Sequence, residues 1–77
     1  MVTGLVLIRL GVGKEKETLK KLKEIKGINE LTGVFGSWDA IARIECDDLK
    51  SLATLVIDRI RETPGVANTE TLIEVKI

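Results

Sequence analysis

The segment Gly36-Ser37-Trp38-Asp39 contains the residue types best suited to bind a small molecule. The carboxylate of Asp39 can hold an ammonium group, and free backbone N–H groups near Gly36 can hold a carboxylate. The indole of Trp38 can cover the apolar part of such a ligand. The alternative is a plain hairpin turn, with turn chemistry from Gly36 and Asp39 and with Trp38 filling an edge between two copies. Loops often carry function, and the residue types alone leave both interpretations open.

The run Gly11-Val12-Gly13-Lys14 resembles the end of a phosphate-binding loop. It lacks the upstream glycine at the required spacing, and Glu15 stands where Ser or Thr would bind magnesium. A strand-to-helix turn therefore explains these residues better. The lysines between positions 14 and 26 are interspersed with glutamates, which is typical of a solvated helix surface rather than a nucleic-acid site.

The other reactive side chains form no catalytic or metal-binding pattern. The chain has no histidine, and its one cysteine, Cys46, has no second thiol to pair with. A catalytic triad and a zinc site are therefore excluded, and Cys46 is expected to be a small core residue. Asp47 or Asp48 is expected to cap a helix, whereas Glu70 and Glu74 are expected to point outward. We predict no catalytic residues, no metal, no cofactor and no enzymatic activity.

The composition indicates one small domain spanning residues 1–77. Hydrophobic residues make up 44% of the chain, too many for a disordered protein, yet a chain this short is marginally stable alone. Twelve basic residues balance twelve acidic ones, which disfavours holding a phosphate backbone by charge. The apolar N-terminus lacks a basic leader, and no apolar run reaches membrane-spanning length. These features predict a cytoplasmic protein without membrane contact, and the lack of glutamine hints at a thermophile.

Hydrophobic spacing predicts six elements in the order strand, helix, strand, strand, helix, strand. They are expected over Val2 to Leu10, Lys14 to Lys26, Ile28 to Phe35, Ala40 to Cys46, a second helix that follows Asp47 or Asp48 and is ended by Thr63-Pro64-Gly65, and Val66 to Ile77. The second helix has the clearest pattern, with an apolar face formed by Leu49, Leu52, Ala53, Val56, Ile57 and Ile60. In the last strand, one face is expected to carry Ala67, Thr69, Thr71, Ile73, Val75 and Ile77.

This order predicts an α+β fold of the ferredoxin-like βαββαβ type, in which two helices cover one face of a four-stranded antiparallel sheet. The first and third strands then lie at the centre. The first strand is apolar on both faces, with Val6 and Ile8 on one and Leu5 and Leu7 on the other. A second copy packing its own sheet against the uncovered face is the simplest way to bury it.

Several short motifs in order resemble the effector domain of the Lrp/AsnC regulators of amino-acid metabolism. The resemblance covers essentially all 77 residues and rests on the hairpin Val34 to Ile41, Ile44-Glu45 and Asp47, the helix through Leu52, Ile57 and Ile60, Pro64-Gly65-Val66, and Thr69-Glu70-Thr71. Each motif is weak alone, but their order and spacing together are fairly specific.

The resemblance implies dimers that form through the sheets and rings of dimers, often octamers. It also implies that a small effector, commonly an amino acid, binds where dimers meet. Carried over residue by residue, the ligand-binding positions are Gly36, Trp38, Asp39, Thr69 and Thr71. Trp38 departs from the family pattern, where smaller side chains or tyrosine are common.

The classical regulators carry a helix-turn-helix domain before this one, whereas here the first strand is predicted from Val2. We therefore expect a stand-alone form that does not bind DNA directly. It would sense an amino acid, or co-assemble with a full-length Lrp/AsnC regulator and alter it. One alternative is a pure assembly partner without a ligand. Another is a small enzyme of the dimeric α+β barrel type, which the lack of histidine and tyrosine disfavours.

Overall fold

The protein, described over residues 1–75 by a computed structural model, has four strands and two helices in the predicted order. The elements are β1 (Val2–Leu10), α1 (Glu15–Lys23), β2 (Ile28–Gly33), β3 (Ala40–Cys46), α2 (Leu49–Leu55), which continues as a π-helical turn (Val56–Ile60), and β4 (Val66–Ile73). Neither helix of the described chain has the length and apolarity needed to cross a membrane.

The sheet has the strand order β2-β3-β1-β4, and every neighbouring pair is antiparallel. The two central strands are the two that were predicted to be central, and the ferredoxin-like α+β fold is confirmed. The prediction extended β2 to Phe35, but pairing stops where Gly33 lies opposite Ala40. It extended the last strand to Ile77, which lies outside the described residues, whereas β4 ends at Ile73.

The core lies between the helices and one face of the sheet. Its buried side chains come from β1, β3 and both helical segments: Val6, Ile8, Leu10, Ala40, Ala42, Ile44, Leu22, Leu52, Val56 and Ile60. Alternation along the central strands puts every second residue on this face, as the period of a strand requires. Cys46 is half-buried against the same cluster.

The α1 helix ends earlier than predicted because its last turn tightens. Glu24 N–H donates to the Lys21 carbonyl and Ile25 N–H to the Leu22 carbonyl, both at 3.2 Å and both three residues back. Gly27, with a φ of +107°, then turns the chain into β2.

The turn before β4 is fastened to α1 and to the end of β1. Thr18, a buried polar residue, places its hydroxyl 3.0 Å from the Lys14 carbonyl oxygen and 3.3 Å from that of Pro64. Gly11 N–H donates to the carbonyl of Gly65 at 2.7 Å. Gly65 has a φ of +98°, and a Cβ there would collide with the Thr18 hydroxyl. Glycine is therefore required at this position on two counts.

The substitution Gly65→Ala is expected to lower the free energy of unfolding by about 1–3 kcal/mol, because it adds both backbone strain and a collision with Thr18. Chemical denaturation measures the change. Gly33→Ala is the matched control, since a Cβ there meets nothing within 4 Å and φ is ordinary. Equal losses in the two variants would contradict this reading of the turn.

Asp48, one of the two predicted caps, is the residue that caps α2. Its Oδ1 accepts a hydrogen bond from Ser51 N–H at 2.7 Å. Hydrogen bonds from the backbone and side chain of Ser51 lower the pKa of the Asp48 carboxyl. The cap therefore stabilises the fold above the ordinary pKa of an aspartate, 3.8, and its contribution is lost as pH falls through the lower folded-state value.

Asp48→Ala is expected to weaken the fall in stability with acid, because the variant has no carboxylate left to protonate at the cap. Unfolding curves at a series of acidic pH values measure the slope. Asp47→Ala serves as the neighbouring control, since Asp47 is exposed and does not cap the helix. An acid dependence unchanged in Asp48→Ala would show that the cap plays no such role.

Candidate functional site

The hairpin between β2 and β3 is closed by one backbone hydrogen bond and joined to the end of β1 by another. Val34 N–H donates to the Asp39 carbonyl at 2.9 Å, which closes the loop. Asp39 N–H donates to the Ile8 carbonyl at 2.8 Å. Gly36 has a φ of +131°, so the path of the loop depends on glycine there. The hairpin is therefore fixed to a central strand rather than projecting freely.

Asp39 contributes its side chain to the same anchor. Its Oδ2 accepts a hydrogen bond from Leu10 N–H at 2.8 Å, and the residue is half-buried. One carboxylate oxygen thus supports the backbone at the end of β1. A ligand ammonium group would have to use the other oxygen, Oδ1.

Arg9 is the functional candidate that sequence reasoning missed. Its guanidinium donates to the Ser37 carbonyl through Nε at 3.0 Å and Nη2 at 2.6 Å. The guanidinium carbon lies 5.1 Å from the centroid of the Trp38 ring, within the range of a cation–π interaction. The hairpin and the end of β1 therefore bring together the Asp39 carboxylate, the Arg9 guanidinium and the Trp38 ring.

A signal for Arg9 was present in the alternation of the first strand. Leu5 and Leu7 were assigned to the face opposite Val6 and Ile8, and Arg9 follows them at the same spacing. It is the charged end of an otherwise apolar row. The contact with Ser37 spans 28 residues of sequence, however, so no local pattern revealed it.

Thr69 and Thr71, the two other predicted ligand residues, lie on the helix side of the sheet. Thr69 pairs with Ile8 and Thr71 with Val6, and directly opposed residues share a face. Arg9 lies on the other face. A single protomer therefore divides the five predicted positions into two groups, the hairpin residues and the two threonines, with β1 between them.

The threonines line a groove between β4 and the second helix, hereafter the α2–β4 groove. It has a volume of about 550 Å³, with walls that include Leu49, Ala53, Ile57, Arg61, Thr69 and Thr71. Arg61 N–H donates to the Val56 carbonyl, five residues back, at 2.9 Å. This bond forms the π-helical turn, a feature often found at functional sites.

The groove exists because the apolar face predicted for the second helix is only half buried. Leu52, Val56 and Ile60, four residues apart, are buried in the core. Leu49 and Ile57 are 56% and 52% exposed, and Ala53 is also exposed. The predicted helix is therefore confirmed, but only three of the six residues on its apolar face are buried. The helix packs on β3 and β1 and leaves the flank of β4 uncovered.

The sheet face opposite the helices carries an apolar centre. Leu5, Leu7 and Ile41 are half-buried there, and Leu72 is 44% exposed. Register places Leu5 between Arg43 and Leu72, and Leu7 between Ile41 and Glu70. We call this surface, with its charged margin, the open sheet face. Within the part of the chain that the structure describes, no group of three or more metal-binding side chains occurs on it or elsewhere.

A family model decides the relationship of the chain to known proteins. The model for the Lrp/AsnC ligand binding domain matches residues 3–77. The chain belongs to this family. Among curated relatives, an uncharacterized HTH-type transcriptional regulator of Pyrococcus furiosus is 30% identical over 74 residues, which are 92% of this chain and 49% of the relative. This member of the Lrp/AsnC family thus spans about half the length of the curated regulators that it matches.

Solved structures share the fold of this Lrp/AsnC domain over nearly its whole length. FFRP-DM1 is 35% identical with a TM-score of 0.89, and the match covers 97% of this chain and 100% of that one. The hypothetical protein PHS023 from Pyrococcus horikoshii is 34% identical with a TM-score of 0.86, covering 100% and 93%. In both matches nearly the whole of each chain is covered, so these two solved chains are about as long as this one.

Arg9→Gln is expected to loosen the hairpin, because the variant loses the cation–π contact and the charged donors to Ser37. The expected loss in unfolding free energy is about 1 kcal/mol. Trp38 is the only tryptophan in the chain. Its emission should therefore shift to the red and its quenching by acrylamide should rise. Arg59→Gln is the matched control, and Trp38 fluorescence identical in the two variants would contradict the contact.

Proposed function

We propose that this chain is an effector-binding and assembly domain that binds a small amino acid where copies meet and thereby modulates Lrp/AsnC regulators. The observation that carries the proposal is that Arg9 and Asp39 both make hydrogen bonds at the Trp38 hairpin, Arg9 to the Ser37 carbonyl and Asp39 to the Leu10 N–H. A free amino acid is a zwitterion, and a cation and an anion at the same loop suit both of its charges.

In the proposed complex, Asp39 Oδ1 accepts from the ligand ammonium group while Oδ2 keeps its bond to Leu10. The Arg9 guanidinium exchanges the neutral carbonyl of Ser37 for the ligand carboxylate, a stronger acceptor because it is charged. Trp38 then covers the apolar side chain of the ligand. A transcriptional regulator from Neisseria meningitidis was solved in complex with L-methionine, and half of its chain has the fold of this domain, at 13% identity and a TM-score of 0.87.

Thr69 and Thr71 complete the proposed site from another copy. They lie on the helix side of β4, and the hairpin anchor lies on the other side of β1, so one protomer does not bring all five residues together. A ligand bound between copies would contact both groups at once. Binding would then be linked to assembly, since only associated copies hold the full site.

The open sheet face is the proposed dimer contact. Leu5, Leu7, Ile41 and Leu72 form an apolar surface with charges at its margin, and two such faces can pack about 10 Å apart as in other sheet sandwiches. A two-fold axis lets one surface serve both partners. Dimers would associate further into a ring, such as an octamer.

The regulatory partner is proposed to be a full-length Lrp/AsnC protein, whose curated examples are HTH-type transcriptional regulators rather than enzymes. This domain would join such a regulator through the shared fold and act without contacting DNA, because its net charge is zero. We place it in the cytoplasm, without membrane contact. Relatives from Pyrococcus and Thermus thermophilus give loose support to a thermophilic source.

A pure assembly module is the second candidate function. It is favoured by one observation: Arg9 and Asp39 already have partners within the hairpin, at Ser37 and Leu10. In that case the two charges would serve only to fix the loop, and Trp38 would pack against a neighbouring copy. The two functions differ in whether the folded protein binds an amino acid.

Isothermal titration against the twenty amino acids tests the ligand, with sedimentation as a check that the protein is assembled. We expect binding of at least one amino acid, and a loss of at least about tenfold in affinity in Asp39→Asn. Asparagine is chosen because its carbonyl can still accept from Leu10 N–H, so only the charge is removed. Absence of binding at millimolar ligand by a folded oligomer would leave the assembly module as the function. A wild-type monomer of 8.5 kDa would contradict the proposed assembly.

A further inference from the structure

We propose that Phe35 of one copy inserts into the α2–β4 groove of a neighbouring copy, forming a head-to-tail contact. The inference rests on the proposed function, because it identifies the contact that would bring the hairpin of one copy to the threonines of another. It concerns a surface distinct from the open sheet face.

Phe35 is the only phenylalanine in the chain, and its side chain is fully exposed. Val34 beside it is 37% exposed. Burying a phenylalanine side chain is strongly favourable, and Phe35 gains no such stabilisation within its own chain. Its loop is nevertheless held firmly at the base by the bonds from Arg9 and Asp39. An aromatic group held out from an ordered loop loses little conformational entropy when it docks.

The α2–β4 groove is the matching concave surface. Leu49, Ile57 and Ile73 are 56%, 52% and 40% exposed along it, and these are side chains that an aromatic ring can cover. The volume of about 550 Å³ leaves room for more than a phenyl ring, so part of the hairpin can follow Phe35 inside.

Charge favours this pairing as well. Residues 33–38 of the hairpin carry no charged side chain, and Arg61 is the only charged residue among those that line the groove in the described chain. Docking therefore buries no unpaired carboxylate. The Arg61 guanidinium can stack on the ring of Phe35 or donate to a hairpin carbonyl.

The two surfaces cannot meet within one chain. No hairpin residue lines the groove of its own chain within the described residues, and β1, to which the hairpin is anchored, lies between the hairpin and β4. The contact is therefore heterologous, and a heterologous contact that closes on itself produces a ring. Combined with a two-fold contact through the open sheet face, it would build a ring of dimers.

Docking would also complete the ligand site. Gly36, Trp38 and Asp39 follow Phe35 directly, so an inserted Phe35 carries them toward Thr69 and Thr71 of the neighbour. The contact explains why the predicted site residues fall into two groups in a single protomer.

Analytical ultracentrifugation of matched variants tests the contact. The wild type is expected to exceed a dimer, whereas Phe35→Ala and Ile57→Glu are each expected to stop at the dimer. A mixture of the two variants should recover larger species, because the first keeps an intact groove and the second keeps Phe35. Val12→Ala, which removes another exposed apolar side chain (98% exposed), should behave like the wild type.

Two results would overturn the inference. One is a Phe35→Ala variant of wild-type size, and the other is a wild type that stops at the dimer. A wild-type dimer would leave the sheet contact of the proposed function intact, whereas a wild-type monomer would contradict that function first. Phe35 is fully exposed, so Phe35→Ala should leave the core intact. The variant should therefore unfold in one cooperative transition, which would show that a smaller assembly does not result from misfolding.

Discussion

Two short helices have to cover a four-stranded sheet, and they cover only part of one face. The core that results is well packed, with Val6, Ile8 and Ile44 inaccessible to solvent. Two apolar surfaces remain outside it: the open sheet face and the α2–β4 groove. A single small domain gains no stability from either surface. Each surface would gain stability only in contact with another molecule, and this is the physical basis of the assembly proposed above.

β1 links these surfaces to the hairpin. It pairs with both β3 and β4, and its alternate residues serve the core and the open sheet face. Its last residues anchor the hairpin, Arg9 through Ser37 and Leu10 through Asp39. In the proposed function, a ligand that draws Arg9 away from Ser37 would therefore act on a residue that also belongs to the margin of the open sheet face. This gives effector binding a direct physical route to the contact between copies.

Much of the fold could be predicted from hydrophobic spacing, because the buried residues of β1 and β3 alternate strictly and Gly27 and Gly65 mark the turns. At the second helix, spacing predicted the helix itself but not which of its apolar residues are buried. A period of 3.6 residues predicts one wide apolar face, but the π-helical turn and the packing over β3 and β1 bury Leu52 and Ile60 while exposing Leu49 and Ile57. Which apolar residues are buried depends on where the helix packs on the sheet, and a local sequence pattern does not specify that position.

The candidate site was predictable only in part for a similar reason. Family resemblance supplied Gly36, Trp38 and Asp39, and the structure places these three together in one hairpin. It could not supply the partner of Trp38, because Arg9 reaches the hairpin through a contact distant in sequence. Nor could strand alternation show that Thr69 and Thr71 face away from that hairpin until the register of β4 against β1 was known.

The central claim is that an amino acid binds between copies, and a crystal structure grown from a mixture of amino acids tests it most directly. The account predicts density for an α-amino acid with its ammonium group on Asp39, its carboxylate on Arg9, and Thr69 or Thr71 of a neighbouring copy beside it. Crystals in which copies touch at the hairpin while Arg9 still binds Ser37, with no ligand density, would contradict it.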